Sequence, residues 1–408
     1  MNTFKQYRFF LLIVIFSGLF LNSCTKKDTP VTPANQYLIS NEFKLGMTVA
    51  EVKTSLQSYI PEMGLVGSLL QSDIEVQKII YKTTFQNNKI QASGLVCLPK
   101  TTGNYPVLCF QNGTNTLHSD APTENPTGDM VSMLESVASM GFIVVIPDYI
   151  GFGASAQLPH PYLHAESTTQ SILDMLRAVN EYGTDVKVVA KPTKNLFIFG
   201  YSQGGWATME LQKAIETNYS SEFNLIASSC AAGPYSISYM NDYITSQTDY
   251  PMPYFLAYLL NTYTSIGLVT NPLSDFIQAP YAAIIPGLFD GNHTGGSINS
   301  VLTTKMADLL TPDFRAGFAT NAKFAGLKSA FIANSVEAWN ISTPTRLYHG
   351  VDDVYIPLSL SQKMLADFKT KGVPDSKIEL VIIPGADHTT AVSSVALQTI
   401  LWFLGLKK

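Results

Sequence analysis

The chain has 408 residues, of which 46% are hydrophobic and 14% are charged, and its formal net charge is -5. This hydrophobic content is enough for a large core and excludes a wholly disordered chain, and the length fits one large α/β unit. Arginine occurs only at Arg8, Arg177, Arg315 and Arg346. Because no basic face can form, nucleic acid is excluded as a partner.

The N-terminal segment has the order of a bacterial export signal. Lys5 and Arg8 precede an apolar run over residues 9–21, which is too short to span a bilayer as a helix but has the length of a signal-peptide core. The run ends in Leu21-Asn22-Ser23-Cys24, which resembles the lipobox of bacterial lipoproteins. A plain secretory signal with a coincidental cysteine is the alternative.

The lipobox resemblance implies a processed, membrane-anchored protein. We expect residues 1–23 to be removed as a signal peptide and Cys24 to take up the lipid. Residues 24–36 then form a polar, proline-containing tether. The protein would be held through its lipid anchor to a membrane of the bacterial cell envelope, with the outer membrane as the expected one.

The folded part is expected to span residues 37–408. Residues 37–72 are predicted to be partly helical. Further along, apolar runs of strand length alternate with amphipathic segments of helix length. The predicted strands are 76–85, 90–98, 105–110, 142–147, 195–200, 224–229, 345–349 and 378–384. The predicted helices are 128–140, 167–182, 205–217, 358–371 and 389–404. Continuous apolar strands between helices predict an α/β fold with a mostly parallel sheet covered on both faces.

A long interruption separates the last two predicted strands from the others. Residues 236–340 contain helix-like apolar patches at 254–268 and 300–310, broken by Pro, Gly and Asn. Because this length exceeds an ordinary connection, we expect a helical cap or lid inserted into the main domain.

Three cysteines remain after Cys24, and each lies in an apolar stretch. Cys97, Cys109 and Cys230 are predicted to be buried small hydrophobic residues. The sequence contains no arrangement of Cys and His with metal-ligand spacing, so neither a metal ion nor another cofactor is expected.

The sharpest chemical signal is Gly200-Tyr201-Ser202-Gln203-Gly204, between a predicted strand and a predicted helix. In a nucleophile elbow the serine lies on a tight strand-to-helix turn, and Gly200 and Gly204 keep side chains out of that turn. We therefore predict Ser202 as a nucleophile. The start of the following helix offers free N–H groups to an oxyanion.

A serine nucleophile needs a base and a carboxylate that orients the base. In proteins with this elbow the chain order is Ser, then Asp or Glu, then His. Asp353 follows a predicted strand, and its spacing from Gly350 and Pro357 resembles the acid turn of α/β-hydrolases, which favours it over Asp352. His388 follows the last predicted strand and is the expected base.

The other histidines are expected to serve structure. His349 should pack at the end of its strand, and His293 should lie in a solvated loop. His160 and His164 could line the entrance of a pocket, although structural hydrogen bonding is the favoured interpretation for both.

An oxyanion formed by acyl attack needs preorganised donors. One is expected to be the backbone N–H of Gln203. The second should come from the loop after the strand at 105–110, where Asn112, Gly113 and Thr114 remain as alternatives.

Taken together, the chain resembles the α/β-hydrolases, and more narrowly their secretory-lipase branch. The segments that carry the resemblance are FQNGT, GFIVVIPDYIGFGAS, HPYLHAEST, FIFGYSQGGWA, YHGVDDVYIP and GADH. The resemblance implies a Ser202–Asp353–His388 triad beneath a cap, and hydrolysis of carboxylic esters through an acyl-enzyme.

The charge pattern bears on the substrate. No Lys or Arg occurs in residues 101–176 or 214–304, so these regions cannot provide a cationic clamp for a phosphate or carboxylate. We expect a neutral ester, either a small molecule or a lipid. Two alternatives remain open: a serine peptidase or amidase of the same fold, and a non-catalytic surface lipoprotein that binds glycan or lipid.

Overall fold

The computed structural model describes residues 35–59 and 67–407. The predicted signal peptide, 1–23, and the predicted lipidation site, Cys24, lie outside the described residues, as does most of the tether. Every helix in the described part of the chain is too short or too polar to cross a lipid bilayer.

The centre of the fold is a nine-stranded sheet with the order β1-β2-β3-β5-β4-β6-β7-β8-β9. Strands β1, β2, β3 and β5 pair antiparallel in that sequence, whereas all pairs from β5 to β9 are parallel. The bounds are β1 Leu38–Met47, β2 Ile74–Phe85, β3 Asn88–Pro99, β4 Gly103–Gln111, β5 Ile143–Pro147, β6 Ala190–Tyr201, β7 Asn224–Ala231, β8 Thr345–Gly350 and β9 Ile378–Ile383. The predicted α/β-hydrolase fold is confirmed.

The helices cover both faces of this sheet. Their bounds are α1 Val49–Tyr59, α2 Asp129–Ser136, α3 Ala165–Tyr182, α4 Gln203–Ala214, α5 Ile237–Ser246, α6 Pro253–Ser265, α7 Tyr281–Leu288, α8 Gly295–Val301, α9 Met306–Leu309, α10 Pro312–Gly317, α11 Ala325–Ala333, α12 Leu358–Thr370 and α13 Ala391–Leu406. One buried cluster contains side chains of α3, α4 and α12, and a second contains side chains of α1, α2 and α13. Two apolar layers therefore enclose the sheet, as continuous apolar strands require.

The beginning of the folded part differs from its prediction. Residues 38–47 form strand β1, an edge strand paired with β2, and helix begins only at Val49. Most of β1 is exposed or half-buried, so its sequence lacks the apolar alternation of a buried strand, and the long-range pairing with β2 decides its conformation. Helix α1 starts with a capping box, because Thr48 and Glu51 exchange hydrogen bonds between side chain and backbone.

Helices α5 to α11 form a single insertion between β7 and β8. The predicted patch at 254–268 corresponds to α6, whereas the patch at 300–310 is split between the end of α8 and α9. The insertion packs on the α3 and α4 side of the sheet. Trp206 Nε1 donates to the Asn334 carbonyl at 2.9 Å, and Tyr263 Oη donates to the Leu163 carbonyl at 2.9 Å, so hydrogen bonds as well as apolar contacts join it to the sheet domain.

An unpartnered carboxyl group lies inside the second core cluster. Glu135, on α2, is completely buried, and within residues 35–59 and 67–407 neither of its carboxyl oxygens has a hydrogen-bond partner. Burial raises the pKa of Glu135 to about 8. The folded state therefore binds a proton at Glu135 more tightly than the unfolded chain does.

This carboxyl group should make stability fall as pH rises. Between the unfolded pKa and the folded value of about 8, the folded state holds a proton that the unfolded state has released, so the free energy of unfolding decreases with pH. We expect Glu135→Gln to raise the free energy of unfolding by roughly 1–3 kcal/mol at about pH 9 and to make its decrease with pH shallower. Urea unfolding at a series of pH values measures the free energy of unfolding and its dependence on pH. The variant Glu42→Gln, at an exposed position, is the control. An unchanged slope in Glu135→Gln would contradict the assignment.

Candidate active site

Ser202 occupies the tight turn between β6 and α4. Its backbone has φ +59° and ψ -124°, a conformation that side-chain-bearing residues rarely adopt and that stores strain at functional sites. A Cβ atom on Gly204 would collide with the Gln111 carbonyl, and one on Gly200 would collide with the Gly204 carbonyl. Glycine at both positions is thus a steric requirement of this turn.

The strand ends bring the three predicted triad side chains together. His388 Nε2 lies 3.0 Å from Ser202 Oγ, and His388 Nδ1 lies 2.6 Å from Asp353 Oδ2. The carboxylate partner indicates that Nδ1 carries the hydrogen, which leaves Nε2 to accept from the serine hydroxyl. Asp352, the less favoured acid, is exposed.

Asp353 is held as an anion by several donors. Its side chain is fully buried, and its Oδ1 accepts hydrogen bonds from the backbone N–H groups of Tyr355 and Ile356, both at 2.9 Å. Burial by itself would raise the pKa of Asp353, but hydrogen bonds from His349 and His388 lower it to about 2. The group is therefore ionised across the neutral range.

His349 is a member of this site that the sequence reasoning missed. The ring is fully buried, and its Nε2 lies 3.3 Å from Asp353 Oδ2 and 2.8 Å from the Ile356 carbonyl. Its Nδ1 lies 2.7 Å from Ser361 Oγ. Because two acceptors surround Nε2, that nitrogen donates, and Nδ1 accepts from Ser361. The spacing of His349 four residues before Asp353 was the available signal.

The loop after β4 lies against the nucleophile turn. The Asn112 side chain is directed away, because its Nδ2 donates to the Pro147 carbonyl at 2.5 Å, while Tyr149 Oη donates to the Asn112 carbonyl at 3.2 Å. A Cβ atom built on Gly113 would lie 3.9 Å from the Cβ of Ser202. Gly113 therefore brings the backbone of this loop beside Ser202.

Further side-chain hydrogen bonds lie beside the turn that holds Ser202. Gln203 Nε2 donates to His160 Nε2 at 2.9 Å, and His160 Nδ1 donates to the Ile150 carbonyl at 2.8 Å. Burial lowers the pKa of His160 to about 4, so this ring is neutral and accepts from Gln203. Thr114 Oγ1 lies 3.0 Å from Tyr162 Oη. The favoured interpretation of His160, structural hydrogen bonding, agrees with this geometry.

A family model provides the comparison that decides the family. Residues 116–405, more than half of the chain, match the model of the secretory lipases. The chain belongs to the secretory lipase family. This membership, on a fold of α/β-hydrolase type, makes the protein a carboxylic ester hydrolase and confirms that part of the sequence prediction.

Solved structures support the fold of this secretory lipase. A suggested hydrolase from Legionella pneumophila is 21% identical with a TM-score of 0.81, over 91% of this chain and 98% of that one. The rice cell wall degrading esterase LipA from Xanthomonas oryzae is 24% identical with a TM-score of 0.75, over 92% and 98%. Candida antarctica lipase A in its closed state is 16% identical with a TM-score of 0.67, over 91% and 82%. A comparison with curated protein sequences gives no match.

An apolar cavity opens beside Ser202 in this lipase. Helices α5 and α6 of the insertion form one wall, and the rest comes from the loop before α3 and from residues that follow β6, β7 and β8. The lining residues are Tyr162, Leu163, Ser202, Pro234, Ile237, Met240, Asn241, Ile244, Phe255, Leu256, Leu259 and Ile356. In the described part of the chain, none of the side chains that line this cavity is charged.

The three cysteines are buried, as their apolar surroundings in the sequence predicted. Cys97, Cys109 and Cys230 are free and buried, and burial raises the pKa of the Cys230 thiol to about 12. Within residues 35–59 and 67–407, no cluster of three or more His, Cys, Asp or Glu side chains could hold a metal ion.

Proposed function

We propose that this secretory lipase cleaves carboxylic esters by a serine mechanism that uses Ser202, His388 and Asp353. The observation that carries the proposal is the 3.0 Å contact between Ser202 Oγ and His388 Nε2 at a strained strand-to-helix turn. That contact gives a hydroxyl, which is a weak nucleophile on its own, a positioned base.

The reaction proceeds in two halves. Ser202 Oγ attacks the ester carbonyl carbon while His388 Nε2 takes the hydroxyl proton, and Asp353 stabilises the imidazolium that forms. The imidazolium then protonates the departing alcohol, and the acyl group stays on Ser202. In the second half, His388 removes a proton from water, and the water oxygen attacks the acyl carbon. The imidazolium then returns the proton to Ser202 Oγ as the bond between Ser202 and the acyl group breaks, and the carboxylic acid leaves. These reaction steps require no cofactor.

Backbone amides are the proposed stabilisers of the oxyanion. The N–H of Gln203 stands at the start of α4, where helix geometry leaves N–H groups unpaired. For the second donor, the closeness of the Gly113 backbone to Ser202 favours the loop segment of Gly113 and Thr114. The side chain of Asn112 is already engaged elsewhere, so only its backbone could contribute.

The cavity beside Ser202 supports a neutral, apolar substrate. Its lining is almost entirely apolar, and the absence of Lys and Arg from residues 214–304 deprives most of the insertion of partners for an anionic group. We propose a neutral ester or lipid as the substrate, and residues 236–340 as the cap that covers its apolar part.

The site of action follows from the N-terminal sequence pattern. The secretory character of the family supports export, and we propose that residues 1–23 are removed and that Cys24 carries a lipid anchor. The catalytic domain, residues 37–408, would then be displayed on a membrane of the cell envelope through the tether of residues 24–36.

Replacing the nucleophile tests the proposal. Ser202→Ala removes the attacking oxygen but leaves the cavity and the oxyanion donors, so we expect kcat for p-nitrophenyl esters to fall by roughly 10³-fold or more. Thermal unfolding should show an intact fold, and changing the exposed Ser119 to Ala should leave the activity unchanged. Turnover by Ser202→Ala at the wild-type rate would refute the mechanism.

His349 is proposed as a positioning residue for Asp353. His349→Leu removes a hydrogen bond to a buried carboxylate, which is worth about 1.5–3 kcal/mol, so kcat/KM should fall by roughly ten- to a hundredfold. Without this donor, the coupled Asp353–His388 pair keeps the imidazolium proton to higher pH. The acid limb of the profile of kcat/KM against pH should therefore move to higher pH.

A conservative variant separates this role from a structural one. His349→Gln can still donate an N–H to Asp353 and should keep a profile near that of the wild type. His164, which is hydrogen-bonded to Ser167, provides the control, and His164→Gln should leave the profile unchanged. Reduced activity of His349→Leu with an unmoved acid limb would show that His349 supports only folding.

A further inference from the structure

One polar side chain interrupts the apolar face that α5 turns towards the cavity. Ile237, Met240, Asn241 and Ile244 all line the cavity, at the i, i+3, i+4 and i+7 positions of one helix face. Three of these positions hold the apolar side chains that such a face normally carries. Asn241 is the exception, and it shares the cavity with Ser202.

The amide of Asn241 lacks the partners that a buried amide normally has. The residue is 2% exposed, and its Oδ1 has no hydrogen-bond partner among the residues that the structure describes. Its Nδ2 reaches only Asp242 Oδ1, at 3.5 Å, which is beyond the usual range for an N–H···O bond. Buried amide groups in native proteins are normally paired, and an exception calls for an explanation such as a bound ligand.

The neighbouring side chains cannot satisfy this amide. Phe255, Leu256, Leu259 and Ile356, which line the same cavity, offer it no polar atom. Tyr162 has a hydroxyl, but this group already lies 3.0 Å from Thr114 Oγ1. A group that enters the cavity with the substrate can therefore pair with Asn241 without displacing an existing hydrogen bond.

We infer that Asn241 is a specificity-determining residue that recognises a hydroxyl group on an otherwise apolar chain of the ester. The inference rests on the proposed function of Ser202 as the nucleophile. A hydroxyl suits both ends of the amide, because it can donate to Oδ1 and accept from Nδ2. A charged group does not suit this site, because the apolar surroundings would leave its charge uncompensated.

The hydroxyl can belong to either half of the ester. An acyl chain that carries a hydroxyl and an alcohol part that keeps a second hydroxyl present the same chemistry to Asn241. The test therefore uses two pairs of substrates. One pair differs by a single hydroxyl on the acyl chain with p-nitrophenol as the alcohol part, and the other compares hexanoate esters of propanol and of propanediol.

The measurement is the ratio of kcat/KM within each pair, for the wild type and for Asn241→Leu. We expect the wild type to favour the hydroxylated member of one pair by roughly tenfold. Asn241→Leu should lose this preference, so that its ratio in that pair falls close to one. The pair that responds identifies which half of the ester occupies the cavity.

A control variant and the activity on plain esters complete the design. Met240→Leu alters the same helix face without changing its polarity and should keep the ratio of the wild type. If the ratios of the wild type and Asn241→Leu are equal in both pairs, the inference is wrong. Retained turnover by Ser202→Ala would overturn the mechanism, whereas equal ratios in an enzyme that depends on Ser202 would overturn only this inference, so the two failures are distinguishable.

Discussion

The mechanism that we propose for this lipase depends on one buried carboxylate that stays ionised. Asp353 is removed from water, which alone would favour its neutral form, yet two backbone N–H groups and two histidine rings surround its oxygens. The preserved negative charge fixes the tautomer of His388 through the 2.6 Å contact, and this tautomer leaves Nε2 free to accept the proton of Ser202. The rest of the fold serves to place these groups.

The parallel sheet supplies that placement. Ser202 follows β6, Asp353 follows β8 and His388 follows β9, and the carboxyl ends of parallel strands meet at one edge of a sheet. Residues separated by 186 positions in the chain thus come within 3.0 Å of each other. The two apolar layers pack against both faces of the sheet and support this edge. The helical insertion forms a wall of the cavity beside it.

Much of this arrangement could be predicted from the sequence, because the decisive signals are local. Gly200, Ser202 and Gly204 meet the steric needs of one turn, and apolar runs mark the buried parallel strands. What escaped prediction depends on contacts between distant residues. Strand β1 has an exposed, polar sequence that becomes a strand only by pairing with β2. The partners of His349 and the lack of partners at Asn241 appear only when the folded surroundings are known.

The central claim, that Ser202 is a nucleophile activated by its neighbours, can be tested at the level of the bond it forms. A fluorophosphonate that reacts with activated serines should attach to the protein at one position, and mass spectrometry of the digested protein should find the label on the peptide that contains Ser202. Prior protonation of His388 at low pH should slow the labelling, since the base is then unavailable. A protein that stays unlabelled, or that carries the label at another serine, would contradict the account.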